Sequence, residues 1–351
     1  MYNGQVLVPG TTIRHGHGEY TYQNKCFKYE GQYSNGVKHG KGIMHLPNGS
    51  SYEGDISKNV IDGFGKYRFG DHLSYEGNFK LGKRSGKGVM TCVLYPNDII
   101  EISSDDWIND IISGKGTITC KSKSYQYKGF IETFQRANFF HKLYIVPHGT
   151  GVILNNDEKE KYVGYFEHGM KSGKGNEYYD NGNKKYSGNF QFDRYSGYGE
   201  YYSTSGDIVY KGNFDKGLKH GEGTNYYNFD EIEIANYKYG KKFGKSTYTD
   251  SKLNPITNYY YYNKAVSSKI KDLSELSLSE VDRCPISQNN FKKNDIITKL
   301  PKCGHIFHSE CLFKWLYQKE ECPMCRAEDI FENKIEVNNN KRKIDQISEV
   351  F

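Results

Sequence analysis

The chain has 351 residues and a formal net charge of +6, with 36% hydrophobic and 26% charged residues. Its length predicts at least two folding units, and its mildly basic balance is below that of a dedicated nucleic-acid binder, so no nucleic-acid partner is expected. The 32 Tyr and 19 Phe residues exclude an unstructured polar chain.

The amino-terminal sequence MYNGQVLVPG has no basic stretch followed by a long apolar run, and no segment is apolar enough to span a membrane. Five of the eight cysteines lie between residues 284 and 325, which favours metal binding in a reducing compartment over a disulfide framework. Cys26, Cys92 and Cys120 stand apart and are expected to be buried thiols. We therefore expect a cytoplasmic protein, with peripheral membrane contact as an option.

A repeated pattern fills the first three quarters of the chain. The tripeptide Tyr-x-Gly begins at Tyr29, Tyr52, Tyr75, Tyr127, Tyr162, Tyr186 and Tyr210. Gly-x-Gly follows eleven residues later, except that an insertion of eleven residues after Tyr127 delays it to Gly149. Aromatic strands and glycine turns predict a β-hairpin for each copy. Because a lone hairpin cannot bury its face, the copies should stack into one antiparallel sheet.

This pattern resembles the MORN repeat (membrane occupation and recognition nexus) over about residues 5–250. The resemblance implies a mainly β fold, an elongated meander of hairpins over residues 1–263 that acts as a scaffold and not as an enzyme domain. It also implies phospholipid contact and self-association.

Nine residues after the tyrosine, cations recur at Lys38, Arg84, Lys171 and Lys219. They would form a basic rim for an anionic phospholipid surface or an acidic partner. The alternative is solvated charge that blocks aggregation at the hairpin turns.

Composition changes at residues 264–283. Apolar residues recur there at three-to-four-residue spacing, namely Val266, Ile270, Leu273 and either Leu276 or the following Ser277. This spacing predicts a short amphipathic linker helix. Residues 331–351, which include the basic stretch NNNKRK, are expected to form a flexible tail.

Metal-ligand residue types cluster near the carboxyl end, at Cys284, Cys303, His305, His308, Cys311, Cys322 and Cys325. Such Cys-x-His, His-x2-Cys and Cys-x2-Cys spacings let neighbouring side chains reach one cation, and Zn²⁺ prefers four sulfur or nitrogen ligands in a tetrahedron. The spacing of Leu312, Trp315 and Leu316 predicts a short helix between these ligands. So small a region builds little core, and bound zinc should supply much of its stability.

The order of these ligands is similar to that of a two-histidine RING finger over residues 284–330. The resemblance implies a small α+β zinc-binding domain with two cross-braced sites. One site would consist of Cys303, His305, Cys322 and Cys325, and the other of Cys284, His308 and Cys311, with Ser287 in place of the fourth ligand.

Ser287 leaves the second site open to two interpretations, because a hydroxyl is a poor substitute for a thiolate. Zinc could be held by three protein ligands together with water or another side chain. Alternatively, the site could be zinc-free and hydrogen-bonded, as in the SP-RING and U-box ligases whose first loop resembles residues 284–287. The retained His308 and Cys311 favour zinc, so two ions are expected and one is the alternative.

The RING resemblance implies a ubiquitin ligase that docks a ubiquitin-conjugating enzyme and positions its ubiquitin thioester, without a covalent intermediate of its own. Counterparts of the docking surface are Ile286, Trp315 and Pro323, and Arg326 corresponds to the cation that bridges the conjugating enzyme and ubiquitin. The repeats would recruit an unidentified protein substrate or a membrane. The alternatives are a non-enzymatic scaffold or membrane adaptor with a degenerate, structural RING, and a SUMO ligase.

Overall fold

The computed structural model describes residues 1–22, 27–94, 98–112, 114–122, 125–135, 143–228, 230–250, 253–269 and 283–331. The chain divides by packing into two compact units, Met1–Gly173 and Lys174–Phe351. Strands account for nearly all of the regular structure, so the predicted mainly β fold, with hairpins followed by a small α+β module, is confirmed.

The first unit consists of antiparallel strands joined mostly by short turns. Its strands are β1 (Tyr2–Val6), β2 (Arg14–Thr21), β3 (Lys28–Ser34), β4 (Val37–His45), β5 (Ser51–Ser57), β6 (Val60–Phe69), β7 (Leu73–Lys80), β8 (Lys83–Leu94), β9 (Asp98–Ile108), β10 (Ile111–Ile112), β11 (Lys115–Cys120), β12 (Tyr125–Gln135), β13 (Leu143–Leu154) and β14 (Glu160–Glu167). Consecutive strands pair antiparallel, with one exception at β10. Among the described residues, this short strand pairs only with β9, so that β11 pairs with both β9 and β12.

Strand β15 (Met170–Tyr178) contains the division between the units. The second unit continues with β16 (Lys184–Gln191), β17 (Arg194–Tyr202), β18 (Ile208–Asp215), β19 (Leu218–Asn228), β20 (Glu231–Lys238), β21 (Lys241–Asp250), β22 (Leu253–Tyr261) and β23 (Lys264–Ala265). It ends in a carboxyl-terminal module with a three-stranded sheet of β24 (Ser268–Lys269), β25 (Ile296–Lys299) and β26 (Ile306–His308), followed by helix α1 (Ser309–Leu316).

A tyrosine lying over two facing glycines forms the core of each repeat. Tyr186 is fully buried, and its hydroxyl donates a hydrogen bond of 3.0 Å to the carbonyl oxygen of Asn189. Gly188 and Gly199 face each other across β16 and β17. A β-carbon on Gly199 would lie 2.3 Å from the tyrosine hydroxyl oxygen, so only glycine leaves room for the ring.

The same buried ring and hydroxyl contact recur in the other copies, at Tyr29, Tyr52, Tyr75, Tyr127, Tyr162 and Tyr210. In five of the seven copies the ring also packs edge to face against the aromatic residue four positions later, as in the pair Tyr210 and Phe214. Ile56 and Ile131 take that position after Tyr52 and Tyr127. The Tyr-x-Gly period of the sequence is therefore the period of the hydrophobic core.

One degenerate copy lies in β9, where Ile102 and Ser104 replace the tyrosine and the glycine. Ile102 faces Met90 on β8, and Ser104 faces Gly88 on the same strand. The Ser104 hydroxyl donates to the Lys115 carbonyl oxygen at 2.7 Å, which satisfies the buried polar group.

A second degenerate copy lies in β20, where Glu233 occupies the position of the tyrosine and Ala235 that of the glycine. Ala235 faces Gly223, as a glycine does in the regular copies. Glu233 is buried, forms an ion pair of 2.6 Å with Lys242 and accepts a hydrogen bond of 2.5 Å from the Ser246 hydroxyl. A buried carboxylate is tolerated here because a cation and a hydroxyl satisfy it.

The predicted linker helix is wrong over its described residues. Residues 264–265 and 268–269 form the strands β23 and β24 instead, because β24 pairs with β25, with Ser268 opposite Ile297. The remaining residues 270–282 lie outside the described residues, as do Cys26 and residues 332–351 of the predicted tail. Phe331, the first residue of that predicted flexible tail, is instead buried against the Tyr261 ring. Of the other two isolated cysteines, Cys120 is buried and Cys92 is partly buried.

We expect Gly199→Ala to destabilise the second unit by about 2 kcal/mol or more, because the added methyl group meets the Tyr186 ring. Tyr186→Phe should cost about 1 kcal/mol, since it removes one hydrogen bond and keeps the ring. Chemical unfolding of the full chain measures both changes, with the neighbouring Ser187→Ala as a near-neutral control. Equal midpoints for Gly199→Ala and Ser187→Ala would contradict this account of the repeat.

Candidate metal centre

The carboxyl-terminal module brings the seven predicted ligands together in two groups. One group is Cys303, His305, Cys322 and Cys325, and the other is Cys284, His308 and Cys311. Within each group, all the potential ligand atoms lie within 4.8 Å of one another. Residues up to 27 positions apart in the chain thus meet in the pairing that the RING resemblance implied.

The complete group is held by two tight turns. His305 Nδ1 lies 3.2 Å from Cys303 Sγ and 3.4 Å from Cys322 Sγ. Burial, against the opposing effect of the His305 backbone amide and with added effects of Cys322 and Cys325, raises the pKa of Cys303 to about 11. A cation is needed to stabilise the thiolate form there, as a zinc ion does.

The loop that carries Ser287 has the same backbone conformation as the loop of the complete group. In the complete loop, Cys322 N donates to Ala327 O and Arg326 N donates to Cys322 O, both at 2.9 Å. In the first loop, the corresponding bonds run from Cys284 N to Asn289 O at 2.9 Å and from Gln288 N to Cys284 O at 2.8 Å.

Gln288 and Arg326, four positions after the first cysteine of each loop, both have positive φ angles, 60° and 55°. Ser287 therefore occupies the position that Cys325 has in the other loop. The first loop keeps the shape of a metal-binding turn although it lacks the thiol.

The Ser287 hydroxyl faces the other members of the incomplete group. Its Oγ atom lies 3.2 Å from His308 Nδ1, and the opposite ring atom, Nε2, lies 3.1 Å from Asp295 Oδ2. A carboxylate on Nε2 fixes the imidazole so that Nδ1 points at the ligand group, as in many zinc sites. Burial would raise the pKa of Cys284, but hydrogen bonds from Ser287 and from backbone amides lower it to about 7.

These donor sets fit two zinc ions. The complete group offers four sulfur and nitrogen ligands, as a structural zinc site requires. The second offers three such ligands and a hydroxyl in the fourth position. Bound zinc would cross-link the loops that carry these ligands.

The module shares its hydrophobic core with the last hairpins of the second unit. Phe313 on α1 packs against Phe243 of β21 and Tyr259 of β22, with ring centroids 5.6 and 5.4 Å apart. Phe331 lies 4.5 Å from the Tyr261 ring in the same way. Leu312 and Leu316 are completely buried in this cluster, so repeat residues and module residues form one continuous core.

Glu320 adds a polar connection beside that core. Its carboxylate pairs with Lys238 Nζ at 2.7 Å and accepts hydrogen bonds from the Tyr262 hydroxyl at 2.6 Å and the Tyr261 hydroxyl at 3.2 Å. Burial would raise the pKa of Glu320, but these donors hold it below the usual value. Sequence reasoning missed Glu320, because its partners lie about 60 to 80 residues earlier and no motif joins them.

Comparison with known families agrees with both parts of the fold. The description "Ring finger domain" matches residues 282–326. The description "MORN repeat" matches residues 13–27, 29–51, 52–74, 75–93, 106–125, 162–184, 186–208 and 210–227. The chain contains MORN repeats and a RING finger.

Curated relatives share only a short segment with this chain. The probable E3 ubiquitin-protein ligase RHA1A of Arabidopsis thaliana is 42% identical over 55 residues, which are 15% of this chain and 35% of that protein. The RING-H2 finger protein ATL57 of the same plant is 31% identical over 75 residues, 21% of this chain and 27% of the relative. The E3 ubiquitin-protein ligase RNF139 of Mus musculus is 40% identical over 76 residues, 20% of this chain and 11% of the relative. The chain thus spans about a third or less of each.

The RING places the predicted docking residues on its surface to different degrees. Ile286 is exposed on the first loop, whereas Pro323 on the last loop and Trp315 on α1 are partly buried. The Trp315 indole N–H donates to the Glu321 carbonyl oxygen at 3.1 Å. Met324, which sequence reasoning missed, is 52% exposed beside Pro323. The sequence could have indicated this exposure, because a large apolar residue between two zinc ligands has little room to turn inward.

The four predicted rim cations lie against aromatic rings of the MORN repeats. Lys219 Nζ is 4.0 Å from the centre of the Tyr210 ring, Lys171 is 4.8 Å from that of Tyr162, and Lys38 is 4.9 Å from that of Tyr29. Burial lowers the pKa of Lys219 to about 8.

Arg84 lies over the Trp107 ring at 4.8 Å and pairs with Asp110 at 3.0 Å. All four rim cations therefore cover the core tyrosines or tryptophan, a contact worth about 0.5–1 kcal/mol each. Lipid binding by this row stays a prediction. In the part of the chain that the structure describes, no helix is long and apolar enough to cross a membrane.

Elemental analysis after dialysis against metal-free buffer, which leaves only the tightly held RING metal, should find two zinc ions per wild-type chain. Cys322→Ser should reduce the content to one, because it removes a ligand of the complete site. Ser287→Cys should keep two ions and make the second more resistant to a chelator, since a thiolate replaces the hydroxyl. Cys92→Ser is the control, and a wild type with one ion that gains its second only through Ser287→Cys would contradict this prediction.

Phe313→Ala should destabilise the RING and the last hairpins together by about 3–5 kcal/mol, because it empties the centre of their shared core. Hydrogen exchange should show that α1 and strands β21 and β22 lose protection in parallel. Lys314→Ala, a change at an exposed position on the same helix, should leave both protected. Loss of protection in α1 alone would show that the two parts are not coupled.

Proposed function

We propose that this protein is a RING-type ubiquitin ligase. It would bind a ubiquitin-conjugating enzyme through its RING and hold the ubiquitin thioester in a reactive geometry, so that positioning supplies the rate enhancement. The observation that carries the proposal is the intact backbone of both metal-binding loops despite Ser287. Curated relatives of the RING segment that are named E3 ubiquitin-protein ligases support it.

The exposed apolar residues on the two loops are the expected contacts for the conjugating enzyme. Ile286 and Met324 are 38% and 52% exposed. Pro323 directly precedes Met324, and Trp315 lies on α1. Apolar side chains held on rigid loops lose little conformational entropy on binding, which makes them effective anchors. Arg326 is exposed directly after the last zinc ligand and would hydrogen-bond to both the conjugating enzyme and ubiquitin.

The MORN repeats would recruit the substrate, a membrane surface or a second copy of the chain. This part of the proposal rests on the resemblance and on the number of repeats, since no residue of the repeats points to one partner. A cytoplasmic location, with peripheral membrane contact through the repeats, belongs to the same proposal. The second candidate function is a scaffold whose RING only stabilises the end of the repeats, and the shared core around Phe313 is the observation that favours it.

An in-vitro ubiquitination assay with the full chain and a panel of conjugating enzymes tests the proposal. We expect chain formation that falls at least about tenfold in Ile286→Ala, because a central apolar anchor is worth about 1–2 kcal/mol or more. Arg326→Asn should slow discharge of the thioester while binding of the conjugating enzyme persists. Asn suits the positive φ angle at this position better than Ala, so the loop is kept.

Lys293→Ala, a change at an exposed residue of the same RING, is the matched control and should be as active as the wild type. A wild type that holds two zinc ions but binds no conjugating enzyme would support the scaffold and reject the ligase. Replacing ubiquitin by SUMO in the same assay tests the third alternative, and activity with SUMO alone would change the assignment.

A further inference from the structure

A third group of metal-ligand side chains lies in the first unit and contains no RING residue. It consists of Glu132 on β12, His148 on β13 and His168 in the turn after β14. Their potential ligand atoms all lie within 4.8 Å of one another. The group stands next to the insertion that interrupts the repeat after Tyr127.

Both imidazoles converge on one carboxylate oxygen. His168 Nδ1 lies 2.9 Å and His148 Nδ1 lies 3.1 Å from Glu132 Oε2. Zinc bonds to nitrogen and oxygen of about 2.0–2.2 Å would separate two ligands of a tetrahedral site by roughly 3.3 Å. The sulfur and nitrogen ligands of the complete RING site, at 3.2 and 3.4 Å, are likewise slightly closer than the roughly 3.6 Å expected around bound zinc.

The backbone fixes the three side chains before any ion binds. Pro147, directly before His148, pairs with Ile131, directly before Glu132. The Pro147 carbonyl oxygen also accepts a hydrogen bond of 2.8 Å from Gly169 N, directly after His168. All three residues are therefore adjacent to one backbone junction, so little conformational entropy is lost when they converge on a ligand.

His15, His148 and His220 occupy the same position in their repeats, directly before a glycine. In all three, the Nδ1 atom is shielded from solvent and makes no well-aligned hydrogen bond among the described residues. Among the described residues, however, only His148 of these three belongs to a group of potential metal ligands outside the RING.

Residues of other types occupy the corresponding positions in other repeats. Gln191 stands where this copy has Glu132, Ser196 where it has His148, and Asn35 where it has His168. The repeat fold therefore does not require these three side chains.

We propose that Glu132, His148 and His168 bind a divalent transition-metal ion of the Zn²⁺ class. Two imidazoles and a carboxylate are ligands that zinc accepts, and hard cations such as Mg²⁺ would prefer oxygen alone. With three protein ligands, the fourth position takes a water molecule or a donor from a bound partner. The side chain of His168 is 59% exposed, so the ion has access from solvent.

Such an ion would join β12, β13 and the turn after β14. Because it binds the folded form and not the unfolded chain, it would raise the stability of the first unit by an amount that grows with the free metal concentration. This role is independent of ubiquitin transfer, and a failure of the ligase proposal would leave it unaffected.

Calorimetric titration of Zn²⁺ into the full chain, with the RING already loaded, tests the site. We expect one further ion per chain and a rise in the unfolding midpoint of the first unit. Glu132→Gln, His148→Ser and His168→Asn should each weaken the uptake at least tenfold. Each new residue occurs at the same position of another repeat, so folding should be preserved.

His39→Ala is the matched control, because His39 holds the repeat position of His148 and belongs to no ligand group among the described residues. It should bind the additional ion as the wild type does. Titration with Co²⁺ adds a spectroscopic readout, since this site lacks the thiolate-to-metal absorption of the RING sites. Absence of a further equivalent in the wild type, or equal uptake in the three variants, would overturn the proposal.

Discussion

The contact between a buried tyrosine and two facing glycines governs the structure of the repeats. The ring can lie across two strands only where neither strand carries a β-carbon, and the tyrosine hydroxyl then reaches a backbone carbonyl three residues on. One side chain thus fills the core, excludes water and satisfies a polar group. The requirement fixes the register of each hairpin, because a slip of one residue would place a side chain beneath the ring.

Two departures from the regular repeat bring polar side chains together. In β20 a buried carboxylate, Glu233, replaces the ring and gathers Lys242, Ser246 and the Tyr227 hydroxyl around it. After Tyr127 the insertion lengthens the hairpin and brings Glu132 beside two histidines. Both departures keep the antiparallel strand pairing: the first replaces side chains, and the second lengthens one hairpin. The fold of the repeat is therefore preserved in both.

The pairing of the seven metal ligands came from the resemblance to RING fingers. Local spacing by itself was enough to predict the hairpins, because turns are determined by residues close in sequence. It was not enough for contacts between distant segments. The rim cations were expected at an exposed edge or as solvated charge. In the structure they pack against aromatic rings, as Lys219 does against Tyr210. The linker pattern around Val266 indicated a helix, but pairing of β24 with β25 prevails there. Hydrogen bonds to a partner strand outweigh a weak helical periodicity.

The shared core of the RING and the last hairpins follows from the small size of the RING. A module of about 50 residues buries too little apolar surface to be stable alone, so it depends on metal, on a neighbour, or on both. Here Phe313 and Leu316 complete their burial against repeat residues, and Glu320 binds Lys238 and two tyrosines. These contacts leave Ile286 and Met324 exposed. The repeats therefore fix the helix of the RING from one side, while the apolar residues of its two metal-binding loops stay exposed.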